Sequence, residues 1–325
     1  MKIAILDDYQ DVVRHLPCFD LLHEHEVKVF NNTAVGVGQL AIRLAPFDAV
    51  VLIRERTRLS KPLLQKLPNL KLISQTGKVA GNIDIAAAHE CGIAIAEGVG
   101  DPTAPAELTW TLIMAAWRRL PNYAQLLQEG AWQASSLNPA HNQLGRVLKK
   151  RTLGIWGYGK IGKIISGYAK AFGMQVMVWG REASRAQAAQ DGLLVAESKE
   201  AFFASCDIIS LHLRLNDATK GIVSPADLAL MKSDALLVNT SRAELLQPGA
   251  LEAALDAGHP GFAAIDVFES EPVAPDHPLL HRENVLATPH LGYVEQASYE
   301  LYFRAAFQNI VDFAAGKPAN LLLPS

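Results

Sequence analysis

Short β-branched runs alternate with helical stretches along almost the whole chain, in two separate series. KIAILD is followed by a helix-like run to Leu22, then by VKVF and a short helix near Gln39–Leu44. DAVVLI leads to SKPLLQKL, where Ser60 would cap a helix with Pro62 in its first turn. LKLIS, IDIAAAHE and IAIAE complete the first series. Strands that read as continuous apolar runs, with helices between them, predict a parallel sheet covered on both faces. Glycine and proline in EGVGDPTAP then mark a linker. An apolar helix is expected from about Ala104 to Leu120, another to Gly130, and an irregular surface excursion between Trp132 and Lys150. The second series reads TLGIWG, QVMVWG, CDIISLH, ALLVNTS, FAAID and NVLATPH, and a last helix runs roughly from Glu295 to Ala315.

Composition narrows the function. A chain of 325 residues, 50% hydrophobic and 19% charged, suits two soluble domains with substantial cores. A formal charge of −3 gives no general attraction to nucleic acid or to an anionic membrane. The apolar stretch Leu108 to Trp117 is about half a membrane span, and the acids of MKIAILDDYQDVV stand where a secretory signal needs apolar residues. Cys18, Cys91 and Cys206 lie far apart with no metal spacing, which predicts reduced core thiols in a cytoplasmic protein.

The most informative motif is Gly157-Tyr158-Gly159-Lys160-Ile161-Gly162, between the strand TLGIWG and the helical run KIGKIISGYAKAF. A pyrophosphate needs this order: glycines admit close backbone approach, and the helix N-terminus offers free N–H groups and a positive dipole end. The expected architecture is a Rossmann doubly wound parallel sheet in a cofactor domain. At the end of the next strand an NAD site usually carries an acid for the ribose hydroxyls. Here Gly180 stands in that place, followed by Arg181, Ser184 and Arg185. The missing carboxylate and the cationic fork of Arg181 favour NADP over NAD; in the alternative, both arginines are solvated and NAD binds.

Three further segments end apolar strands, the edge where open α/β sheets bind ligands. They are Asn239-Thr240-Ser241-Arg242, Asp266-Val267-Phe268-Glu269-Ser270-Glu271-Pro272 and Thr288-Pro289-His290-Leu291-Gly292. Together they supply Arg, Glu and His. Reducing a 2-oxo acid needs that set: a proton donor, a cation for the carboxylate, and an acid to keep the donor protonated.

TLGIWGYGKIG, AFGMQV, LALMKSDALLVNTSR, AIDVFESEP and ATPHLG, in this order, resemble the D-isomer-specific 2-hydroxyacid dehydrogenase family. The resemblance implies that His290 is the acid/base, Glu271 its carboxylate partner, and Arg242 the ligand of the substrate carboxylate. It places Asp266 at the nicotinamide end, with His212, Leu213, Arg214, Thr240, Ser241 and Gly292 lining the cofactor. It further implies a smaller flavodoxin-like α/β substrate domain, discontinuous in sequence, a cleft that closes over the cofactor, and a homodimer. The expected division is 1–103 and 292–325 for the substrate domain, and 104–291 for the NAD(P)-binding domain. Two other readings share this fold: a formate-dehydrogenase-like enzyme, whose glutamine would stand at Glu271, and a dinucleotide-sensing scaffold without activity.

The chain departs from the family in Gln75-Thr76-Gly77-Lys78-Val79-Ala80-Gly81-Asn82-Ile83-Asp84. Family members hold the substrate carboxylate with the amides of this loop, and Lys78 and Val79 replace small or glycine residues. Val79 would narrow the pocket, while Lys78 would put a second cation beside the substrate or point to solvent. Arg54, after DAVVLI, is a further substrate candidate. Arg214 stands where the family commonly has proline. Trp110 and Trp117 are expected in the core or a dimer interface.

Overall fold

Most of the apolar runs become buried strands, IDIAAAHE becomes a helix, and the two series build two separate sheets. The computed structural model describes residues 1–34 and 36–323. They fall into two units, Met1–Asp101 with Val294–Ser325, and Pro102–Tyr293.

In the first unit, β1 (Lys2–Ile5), β2 (Glu26–Val29), α1 (Val37–Leu44), β3 (Ala49–Leu52), α2 (Lys61–Leu64), β4 (Leu72–Gln75), α3 (Ile85–Glu90) and β5 (Ala94–Ala96) follow one another. The five strands pair in parallel in the order β2-β1-β3-β4-β5. β3 and β4 are buried at every position, which is why AVVL and LISQ show no alternation. The expected helix to Leu22 is instead two 3-10 turns, Val13–His15 and Pro17–Leu22. Leu16 between them is extended, because the ring of Pro17 disfavours helical geometry in the residue before it. Ser60 stands at the N-cap of α2, but its side chain makes no capping bond. Asp84 does cap, accepting from the Ala87 amide at 3.0 Å.

The second unit continues with α4 (Thr103–Trp117), α5 (Leu120–Gln128), β6 (Thr152–Trp156), α6 (Lys160–Ala171), β7 (Gln175–Trp179), α7 (Glu182–Gln190), β8 (Leu194–Val195) and α8 (Lys199–Ser205). After these come β9 (Ile208–Leu211), α9 (Pro225–Ala229), β10 (Leu236–Asn239), α10 (Ala250–Ala257), β11 (Phe262–Ile265) and β12 (Val285–Ala287). Its seven-stranded sheet has the order β12-β11-β10-β9-β6-β7-β8. The chain moves outward from β6 to β8 and then crosses to β9, so the strand order reverses between β6 and β9. Ligands of open α/β sheets bind at such a reversal, outside the carboxyl ends of the strands. β8, with two residues at the sheet edge, carries too little pattern to be read from sequence. Trp117 is buried, and Trp110 packs its ring on Tyr168 and Phe172 of the α6 region, at 5.9 and 5.1 Å between centroids.

α11 (Gln296–Ala314) returns to the first unit, where Phe303 and Phe307 are fully buried. Its N-cap, Glu295, accepts from the amides of Ala297 and Ser298 at 2.7 and 2.9 Å. The Asn309 side chain donates to the Glu97 carbonyl at 3.1 Å, and Ser74 of β4 to the Ala306 carbonyl at 2.8 Å. Cys18 and Cys206 are buried as expected, whereas Cys91 is exposed just past the end of α3. Among the described residues, no helix is long and apolar enough to cross a membrane.

Candidate active site

The three glycines between β6 and α6 have different physical reasons. Gly157 has φ +101°, and a Cβ there would lie 2.4 Å from the His212 carbonyl oxygen. A Cβ on Gly162 would lie 2.6 Å from the Gly157 oxygen. Both are required by the protein's own packing. A Cβ on Gly159 would meet nothing within 4 Å, and its φ of −93° suits any residue. Gly159 is therefore not demanded by the fold. A bare backbone facing open space at a helix N-terminus suits close approach by a phosphate group. No side chain caps α6, so its first amides are not taken by a cap. The cradle fits a dinucleotide pyrophosphate. The Tyr158 ring is buried, and its hydroxyl donates to Asp191 at 2.9 Å. Lys160 is exposed and Ile161 half-buried on the first turn.

Gly180, after β7, has φ +149°, so the turn itself selects glycine over an acid. The exposed Arg181 begins α7. Arg185 is already engaged: it pairs with Glu182 at 2.6 Å and stacks on Trp179 at 5.1 Å, although its Nε is buried without a partner. Beyond β9, Leu213 packs on the core and Arg214 is exposed. His212 Nε2 lies 2.8 Å from Ser210 Oγ, and burial pushes its ring down to about 4.

The carboxyl ends of β10, β11 and β12 gather the remaining candidates. The Asn239 side chain donates to the Arg242 carbonyl at 2.8 Å and accepts from the Ser241 amide at 3.1 Å, fixing the turn that carries Arg242. Arg242 Nη1 donates to the Ser241 carbonyl at 2.6 Å. Thr240 and Thr109 share a hydroxyl bond of 2.7 Å, and Ser241 Oγ donates to the Leu211 carbonyl at 2.6 Å. His290 Nδ1 lies 2.7 Å from Glu271 Oε2, and Glu271 Oε1 accepts from the Phe268 amide at 3.0 Å. Burial alone would raise the Glu271 carboxyl. The bond to His290, its charge, the Phe268 amide and Arg242 outweigh burial and hold it below the usual carboxylate range.

Asp266, at the end of β11, braces the turn that carries His290. Its carboxylate is fully buried and spends both oxygens on the His290 loop. Oδ1 accepts from Thr288 Oγ1 at 2.6 Å and from the Leu291 amide at 2.8 Å, and Oδ2 from the Gly292 amide at 3.0 Å. Between these anchors His290 has φ +52°, a conformation costing a non-glycine residue about 1–3 kcal/mol. Burial raises the Asp266 carboxyl, and its hydrogen bonds and the His290 charge only partly offset this. Its position is that of a post holding the histidine.

The first unit places Arg54 at φ +51°, with its carbonyl accepting from Gln75 Nε2 at 2.8 Å. A Cβ on Gly77 (φ +92°) would lie 2.0 Å from Arg54 Nη1, so the guanidinium lies directly over that glycine. Lys78 is exposed and carries an acid beside it. Its Nζ pairs with Glu97 Oε2 at 2.8 Å, while the half-buried Val79 donates its amide to Glu97 Oε1 at 2.8 Å.

The model of the D-isomer specific 2-hydroxyacid dehydrogenase NAD-binding domain matches residues 110–292. The chain belongs to this family. The dehydrogenase is 37% identical to the glyoxylate reductase of Aeropyrum pernix over 82% of this chain and 80% of that protein. It is 29% identical to the D-3-phosphoglycerate dehydrogenase of Archaeoglobus fulgidus over 98% of this chain, yet spans only 58% of that protein's length. A solved oxidoreductase structure from Ralstonia solanacearum superposes with a TM-score of 0.96 at 57% identity, covering 98% of this chain and 96% of that one.

In this dehydrogenase the residues missed by sequence reading are the partners rather than the actors. Glu97 and Thr109 carry no motif, and they lie far in sequence from the residues they hold. Asn239 stands inside a quoted segment, where its type, short and amide-bearing before a turn, is the only signal.

Proposed function

We propose that this dehydrogenase interconverts small 2-oxo acids and D-2-hydroxy acids, with NADP preferred over NAD. The observation that carries the reading is the 2.7 Å bond between His290 Nδ1 and Glu271 Oε2. Glu271 occupies Nδ1, so Nε2 is the ring nitrogen left for the substrate. When bound, the reduced dinucleotide supplies a hydride. In reduction C2 gains that hydride with its electron pair, and the carbonyl oxygen takes the proton from Nε2 of the imidazolium. The C=O π bond becomes C–O–H, and the ring is left neutral. Glu271 remains ionised throughout, stabilising the imidazolium and fixing the ring orientation. Arg242 binds the acid's carboxylate through its planar guanidinium and draws density from the carbonyl. Running backward, neutral His290 removes the hydroxyl proton of the 2-hydroxy acid.

The seven-stranded unit is assigned to the dinucleotide and the five-stranded unit, through its loop Gly77–Gly81, to recognition of the acid. Arg181 supports the NADP preference, since no hydrogen bond or ion pair engages its side chain among the described residues. The test is kcat/KM for glyoxylate, hydroxypyruvate and phenylpyruvate with NADH and NADPH, at low and high salt. His290→Ala should lose two or more orders of magnitude while still binding dinucleotide. Arg181→Ala should erase a roughly tenfold to hundredfold NADPH preference, the worth of a charge-assisted bond. Near-normal turnover in His290→Ala would refute the acid/base assignment. Inserting an acid at Gly180 is a poorer test, because φ +149° would strain it.

A further inference from the structure

Glu97 follows β5 and is the only acid that reaches the loop after β4 at both Lys78 and Val79 among the described residues. Its backbone is held on both sides: its amide donates to the Asn320 carbonyl at 3.0 Å, and its carbonyl accepts from Asn309 Nδ2 at 3.1 Å. Asn309 is itself buried and accepts from Asn320 Nδ2 at 2.9 Å. The next residue touches the loop directly. The Gly98 amide donates to the Gly77 carbonyl at 2.8 Å, and a Cβ on Gly98 would lie 2.5 Å from the Gly77 nitrogen. The carboxylate is thus the fixed member of the pair, with a side chain 16% exposed against 64% for Lys78. The cation comes to the acid.

The arrangement has an electrostatic consequence. The loop carries the ammonium of Lys78 and lies under the guanidinium of Arg54, and each has an acid beside it: Glu97 at 2.8 Å and Glu55 at 3.9 Å. A second anionic group brought to this loop would meet Lys78 with its charge already cancelled, and the Glu97 carboxylate next to it. We infer that Glu97 determines specificity, setting the loop against 2-oxo acids with a second negative charge, such as a phosphate or distal carboxylate, and in favour of those with neutral substituents. The inference rests on the proposed function, in which this loop recognises the acid.

Glu97→Gln separates the two jobs of the carboxylate. The amide oxygen can still accept from Val79, but the group no longer neutralises Lys78. The measurement is the ratio of kcat/KM for 3-phosphohydroxypyruvate to that for hydroxypyruvate. Wild type should favour hydroxypyruvate. Glu97→Gln should raise the ratio by about threefold to tenfold, the effect of one partly exposed charge. Lys78→Met leaves Glu97 uncompensated and should lower the ratio by a similar factor, so the idea stays testable even if Glu97→Gln folds poorly. Both changes should shrink at high ionic strength, which a purely steric role of Glu97 would not produce. A wild type that favours the phosphorylated acid, or single variants that leave the ratio unmoved, would overturn the inference while leaving the function standing. A wild type that reduces no 2-oxo acid would instead remove the function, and the inference with it.

Discussion

Alanine at Gly157 and at Gly159 should give opposite phenotypes, although the two glycines are two residues apart in one motif. At Gly157 the φ of +101° strains any side chain by about 1–3 kcal/mol. Its Cβ would also stand 2.4 Å from a backbone oxygen of His212, and forcing the backbones apart costs about 1–3 kcal/mol more. A loss of about 2–6 kcal/mol is a large share of a typical domain's stability. It corresponds to a melting temperature roughly 5–20 °C lower for a unit of this size. At Gly159 both terms vanish, because φ is −93° and no atom lies within 4 Å of the Cβ position. Stability should stay within about 0.5 kcal/mol of wild type. What Gly159→Ala should lose is the ligand: a methyl group in the cradle keeps a pyrophosphate from the α6 amides. The dinucleotide Kd, read by nicotinamide fluorescence, should rise about tenfold or more, the worth of one lost charge-assisted hydrogen bond. Thermal melting without ligand and titration with NADPH and NADH separate the effects. If Gly159→Ala melts normally and binds both dinucleotides as tightly as wild type, the turn does not hold the pyrophosphate.

In the same unit, Glu271→Gln should slow reduction about fivefold with the dinucleotide Kd unchanged, the worth of one partly exposed ion pair; unchanged turnover would mean that Glu271 does not support the acid/base. Glu271, held below its ordinary value, contributes stability above the unfolded carboxylate range, and that contribution fades as pH falls through its folded value. His212, pushed down to about 4 by burial, also favours the fold in its neutral form, so stability should decline as pH drops from about 6.5 toward 4. Urea melts of wild type and His212→Gln at pH 7.5 and 5 should show a smaller acid loss in the variant, and equal losses would assign the acid sensitivity elsewhere.

What is legible in this sequence is whatever a local period or a required residue type encodes. The buried strands of both sheets read as apolar runs because both faces are covered, and Glu295 announces α11 because a helix start needs an acceptor. β8 is invisible because two residues carry no period, and the helix expected before Leu22 fails because Pro17 acts on Leu16, a single-residue constraint that outweighs the apolar pattern around it. In the candidate site, residue types are legible and pairings are not. Lys78 can be seen to be unusual, but nothing in the chain says that Glu97, 19 residues later, has already taken its charge. Asp266 can be seen at a strand end, but not that burial turns its carboxylate inward to brace the loop of His290. Gly157, Gly159 and Gly162 look equivalent in the motif, yet two are set by oxygens of neighbouring turns and one by nothing in the protein. A glycine that the fold does not need is the better pointer to a ligand than the two that it does.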